Sequence, residues 1–146
     1  MEPQNASCWP DLGEIDLMEK IDGKDACFQT YHWNPNSTAC SNHHDQFQSS
    51  VDVGDALTNY HEYAVHVEAS YIDFYVDSQK IGRVDSSSVG DKLGTNPQLD
   101  PSTAWYMILN TAVSNKTVWG KPVSDDTVFP VVHRIDYVKV LTKKAK

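Results

Sequence analysis

The stretch Glu14-Ile15-Asp16-Leu17-Met18-Glu19 constrains this chain more than any other, because it places three carboxylates between apolar residues within six positions. In a strand, residues two apart share a face, so Glu14 and Asp16 point one way while Ile15 and Leu17 point into the opposite layer. Glu19 has the wrong parity for the acid face. One extra residue at Leu17 or Met18, a β-bulge, corrects it, and bulges are over-represented beside active sites. Carboxylates held close repel one another, so at least one must share or keep a proton. Folding gains nothing from that arrangement, which points to chemistry; a solvated acidic edge strand is the competing reading.

The chemistry that fits is glycoside hydrolysis with retention. It needs two carboxyl groups about 5 to 5.5 Å apart, one ionised as nucleophile and the other protonated as general acid. Glu14 and Glu19 suit those parts, and Asp16 between them can share a proton and tune the pair. No Ser-His-Asp or Cys-His arrangement competes, and the glycines form no phosphate-binding loop.

With Trp9-Pro10 and Gly13 ahead of it, Glu14 to Glu19 resembles the active-site signature of glycoside hydrolase family 16 in its bulged, laminarinase-like form. Thr30-Tyr31-His32-Trp33 resembles the following strand, residues 61–65 and 72–77 the next hairpin, and residues 105–113, Phe129-Pro130 and 135–140 the closing strands. The resemblance implies an all-β, concanavalin A-like β-sandwich (jelly roll) and a retaining endo-β-glucanase acting on β-1,3 or mixed β-1,3/1,4 glucans. Glu14 would be the nucleophile, Glu19 the acid/base and Asp16 auxiliary. The alternatives are a glucan transglycosylase and a non-catalytic glucan-binding module. His32 would face the cleft and hydrogen-bond the sugar or a catalytic carboxylate; a structural histidine satisfied by backbone competes with that reading. Trp9 and Trp33 would stack on substrate or fill the core beneath the cleft. This chain has Ser114-Asn115 where family members commonly carry Gly-Gly, and His66-Val67 where they carry Glu-Trp, which alters local loop geometry and packing.

The net charge of −8 and pI near 5.0 argue against a nucleic-acid partner, whereas a neutral polysaccharide is indifferent to charge. No apolar run is long enough for a membrane span. No cofactor is expected, and no metal: His43-His44 beside Asp45 lacks ligand spacing, since adjacent strand residues face opposite ways. The expected partner is a β-glucan substrate, bound by a monomer. Cys8, Cys27 and Cys40 allow at most one internal disulfide and leave one thiol over. Asn5, Asn36 and Asn115 each begin an N-glycosylation triplet, which matters only in a secreted chain. The resemblance implies an extracellular enzyme, yet the first residues have neither a basic nor an apolar signal region. Family domains carry the acid motif near their middle, so the expectation is a partial domain over 1–146 that lacks N-terminal strands, with 142–146 as a basic tail. Such a chain alone should be poorly stable and inactive.

Along the rest, 27–33, 60–68 and 71–77 read as strands by alternation and β-propensity, with a turn at 76–80 and a returning strand over 81–84. Residues 34–45 read as loop, and 90–102 as a long surface loop. Residues 105–113, apolar on both faces around Asn110, read as a central strand, and 131–141 as a closing one. An amide in that apolar strand needs partners, which suggests a cleft-facing, substrate-binding Asn110.

Overall fold

The computed structural model describes residues 8–10, 13–21, 24–35, 44–54, 58–85, 104–115 and 120–142. Among them six strands form two antiparallel three-stranded sheets, in the order β1 (Glu14–Lys20), β2 (Ala26–Trp33), β3 (Asp45–Asp52) and β4 (Tyr63–Glu68), β5 (Tyr71–Val76), β6 (Gln79–Asp85). No helix occurs among the described residues. The protein is all-β, with its core between the sheets as a sandwich requires.

Alternation on β2 sets the layers. Cys27, Tyr31 and Trp33 face inward, and Tyr31 and Trp33 pack with Ile72, Phe74 and Val84 of the second sheet, flanked by Ile15, Phe47, Val65 and Ile81. Cys27 joins a smaller cluster with Val53 and Val76. Phe28, Thr30 and His32 therefore project from the outer face of β2, beside the acids of β1. The sheets approach closely where β6 meets β3. A Cβ on Gly82 would come within 2.8 Å of Ser49 Cβ, so only glycine fits without displacement there.

The hairpins follow the sequence. Asp77 and Ser78 both adopt left-handed φ, 48° and 65°, the paired conformation of a tight two-residue turn between β5 and β6. Asp77 also accepts from the Glu62 main-chain N–H at 3.0 Å and contacts His61 Nδ1 at 2.8 Å, which ties the turn to the start of β4.

Two expectations do not hold. Residues 104–115 and 120–142 contain no strand, so the central and closing strands read into 105–113 and 131–141 are corrected. Their β-branched and aromatic content supports pairing only when a neighbouring strand accepts the ladder, and the six strands described pair among themselves. Leu17 is exposed rather than inward, because it sits in the bulge. The expected loop at 90–102 and most of the 142–146 tail lie outside the described residues. Cys27 is a free, buried thiol, while Cys8 is disulfide-bonded.

Candidate active site

The register of β1 against β2 pairs Glu14 with His32 and Asp16 with Thr30, then jumps to Glu19 with Phe28. Leu17 and Met18 together oppose Gln29, which is the bulge expected from the parity of the acids. Its consequence is that Glu14, Asp16 and Glu19 share the outer face of the first sheet.

A bulge leaves main-chain groups without ladder partners, and Gln29 serves this one from the buried face. Its Nε2 donates to Leu17 O at 2.7 Å and to Tyr75 O at 3.2 Å. Tyr75 itself borders a register shift between β5 and β6. One fully buried amide thus joins two irregular strands from opposite sheets.

On the acid face each carboxylate has a separate partner. Trp9 Nε1–H donates to Glu14 Oε2 at 2.6 Å. His32 Nε2 lies 3.2 Å from Asp16 Oδ2, and its Nδ1 lies 2.7 Å from His44 Nε2. The Trp9 ring packs against both imidazoles, with centroids 5.4 Å from His32 and 4.6 Å from His44. Thr30 Oγ1 donates to Glu19 Oε2 at 3.0 Å and accepts from Gln48 Nε2 at 3.1 Å. Ligand atoms of Glu14, Asp16 and His32 lie within 4.8 Å of one another; Asp16 contacts His32, and Glu14 lies opposite His32 in register.

Electrostatics separate the acids. Burial pushes the Glu19 carboxyl above its ordinary value, and Asp16 and, more weakly, Glu14 add to the rise; the Thr30 hydrogen bond and His32 oppose it. His44 is held below the usual histidine range by burial and by its neighbour His32. A carboxyl whose protonated form is favoured, set beside two further acids, is the arrangement that general acid catalysis needs.

The structure brings Trp9, Glu14, Asp16, Glu19 and His32 together. It does not bring Trp33, which is 4% exposed and stacks on Tyr31 at 5.2 Å inside the core, so core packing replaces the substrate-stacking role. Parity decides this: Trp33 alternates away from His32. Asn110 lies exposed in a stretch without strand structure, so the central-strand placement behind its expected role is also corrected. His32 contacts Asp16, a carboxylate of the acid face.

Sequence reasoning does not reach Gln29, Thr30, Gln48 and His44 as members of the site. Asp45–Asp52 is a strand whose polar Gln46, Gln48 and Ser50 pair with His32, Thr30 and Phe28. Their alternation with Phe47, Ser49 and Val51 is the available signal, masked by a polar composition that reads as loop.

The chain matches the family model described as beta-glucan synthesis-associated protein SKN1/KRE6/Sbg1 over residues 2–146. It is 30% identical to a curated beta-glucanase of Rhodothermus marinus over 136 residues, 90% of this chain and 45% of that protein, so it spans under half of that relative's length. Among solved structures it resembles the laminarinase from Rhodothermus marinus, with 27% identity, a TM-score of 0.47 and coverage of 67% of this chain and 36% of that one. It also resembles LamAcat from Zobellia galactanivorans, with 21% identity, a TM-score of 0.49 and coverage of 57% and 33%.

Proposed function

This chain belongs to the family of beta-glucan synthesis-associated proteins SKN1/KRE6/Sbg1, within laminarinase-like glycoside hydrolase family 16, and from that premise we propose that it carries the catalytic acids of a retaining endo-β-glucanase. The substrate is a β-1,3 or mixed β-1,3/1,4 glucan. The observation that carries the reading is the bulge between Asp16 and Glu19, which turns a third carboxyl onto the face of the other two while burial favours its protonated form.

Glu14, held by Trp9, attacks the anomeric carbon as the glycosidic bond breaks, and Glu19 gives its proton to the departing oxygen. A covalent glycosyl–Glu14 ester results. Glu19, now ionised, takes a proton from water, the water oxygen displaces Glu14, and the sugar leaves with retained configuration. Asp16, held by His32, stays beside both glutamates, so its charge opposes early ionisation of Glu19. Trp9 is also an exposed aromatic ring beside the acids, available for a pyranose face.

A second reading is favoured by the association of the family with beta-glucan synthesis: a sugar hydroxyl replaces water in the second step, and the product is a rearranged glucan. One experiment addresses both. The full-length protein is incubated with laminarin, new reducing ends are counted, the first-formed anomer is read by proton NMR and product lengths are profiled. Early β-anomer with net reducing ends supports hydrolysis, and longer chains without net reducing ends support transfer. Laminarin binding with neither product overturns both in favour of a binding module.

A further inference from the structure

Glu19 has two oxygens, and the structure treats them differently. Oε2 accepts from Thr30 Oγ1 at 3.0 Å, and the same Thr30 oxygen accepts from Gln48 Nε2 at 3.1 Å. A hydroxyl carries one proton and two acceptor sites. With Gln48 donating into one acceptor site, the Thr30 proton is directed to Glu19. Thr30 is fully buried and belongs to the strand that pairs with β1, so its hydroxyl is anchored by both ladders, to β1 and to β3. Gln48 lies directly opposite it in register on β3.

We propose that Gln48 and Thr30 form a positioning relay that reserves Oε2 of Glu19 as a hydrogen-bond acceptor and leaves the proton of the neutral acid on Oε1. The inference rests on Glu19 being the acid/base and adds which oxygen does the proton transfer. After the proton has left, the same Thr30 hydrogen bond favours the carboxylate that must activate water. The relay therefore opposes the rise that burial and Asp16 impose on Glu19. Rotating the Gln48 amide by half a turn would present Oε1 to Thr30 and draw the hydroxyl proton away from Glu19, so the hydrogen-bond direction is the essential feature.

Other charged groups also face Glu19. Asp16 and Glu14 lie on its own strand and His32 on β2. Across that face β3 presents Gln46, Gln48 and Ser50 opposite the β2 residues of the site, none of which titrates. Removal of Gln48 therefore changes no charge, and the Thr30→Val background separates an effect carried by the hydrogen bond from one carried by burial.

The test follows the Glu19 carboxyl directly. The full-length protein is labelled with 13C at the glutamate side-chain carboxyl carbon, Glu19 is assigned by its loss in Glu19→Gln, and its midpoint is read by NMR titration. Thr30→Val should raise the midpoint by about half a pH unit or more, the typical worth of one hydrogen bond. Gln48→Leu should raise it less, and should add nothing once Thr30 is replaced by valine. Thr30→Ser keeps the hydroxyl and should restore the wild-type midpoint, which separates the relay from damage to packing. An equal Gln48→Leu shift in the Thr30→Val background, or no rise in Thr30→Val, overturns the relay. Turnover is not used in this readout: a lost relay leaves the hydrolase reading intact, and a silent enzyme with a normal titration overturns only the hydrolase.

Discussion

The side-chain amide of Gln29 donates to the main-chain carbonyl of Leu17 across 2.7 Å, which fixes the bulge that turns Glu19 to the face of Glu14. The same nitrogen reaches Tyr75 O in the other sheet at 3.2 Å. Gln29→Leu keeps the approximate volume and leaves both carbonyls without this donor. The expected cost is about 1 to 3 kcal/mol of stability for the unsatisfied groups. In the full-length protein kcat should fall roughly 100-fold, the scale of an ångström of misplacement, with a smaller change in KM. Denaturant unfolding with steady-state kinetics on laminarin checks both. Unchanged kcat in a destabilised variant would sink the positioning role.

The parity of Glu14, Asp16 and Glu19 makes the bulge legible in the sequence, because with a period of two only an extra residue brings Glu19 to the face of the other acids. Gln29 is not legible there: its role depends on carbonyls orphaned by that bulge and by an irregularity in another sheet, which no local pattern encodes. β3 is hidden because its outer residues are Gln46, Gln48 and Ser50, polar through facing the acid cleft, not through forming a loop. Residues 105–113 fail in the opposite direction. Their composition suits a central strand, but propensity gives no strand without a neighbour to pair with.

Nucleophile and acid/base respond differently to an external nucleophile. Glu14→Ala should abolish laminarin hydrolysis in the full-length protein, and azide should rescue cleavage of an activated aryl glucoside with inverted configuration, because azide then attacks in place of the missing carboxylate. Rescue with retained configuration reverses the two assignments. Proton NMR of the first-formed glycosyl azide decides.

Protonation of the leaving group is needed in proportion to that group's basicity. Glu19→Gln should reduce turnover of laminarin by several orders of magnitude, while the glycosylation step with an activated phenol falls far less. Thr30 Oγ1, which donates to Glu19 Oε2 at 3.0 Å, can donate to the amide oxygen of the replacement side chain in the same place, so the fold should be preserved. A uniform loss across a series of leaving groups argues against Glu19 as general acid.

Asp73 is nearly buried, and the Arg83 guanidinium grips it with Nε at 2.5 Å and Nη2 at 2.6 Å, while Lys80 adds a contact at 3.2 Å. These partners hold its carboxyl at about 2 against an ordinary 3.8, with the Arg83 hydrogen bonds the largest cause and burial opposing them. Because the folded value is depressed, the contribution is complete above the unfolded value and is lost as pH falls from about 4 towards 2. Glu19 acts with the opposite sign: its raised carboxyl weakens the fold as pH rises through its own titration. Comparison of denaturant midpoints for wild type and Asp73→Asn between pH 6 and about pH 2 should show a gap that closes in acid. A gap that stays constant with pH means Asp73 contributes by packing alone.

The described part of the chain after β6 leaves many large apolar side chains exposed. Met107 is 65% exposed, Leu109 61%, Val128 81% and Leu141 79%, beside exposed Trp105, Phe129 and Tyr137. Contiguous apolar surface beyond a few hundred Å² is rare on monomers and drives association. Tyr137 Oη donates to Glu62 Oε2, so this region touches the strand sandwich near the start of β4 while its apolar side chains remain open. The 146-residue chain in isolation should therefore bind a hydrophobic dye and self-associate at micromolar concentration, in contrast to the monomer expected from the sequence. Leu109→Lys and Val140→Lys place charge on that surface without entering the core between the sheets. They should lower dye binding and shift the sedimentation profile towards monomer while the far-ultraviolet β signal stays unchanged. A monodisperse, dye-silent wild-type chain would show that these side chains are covered in solution, and equal association of the lysine variants would place the contact elsewhere.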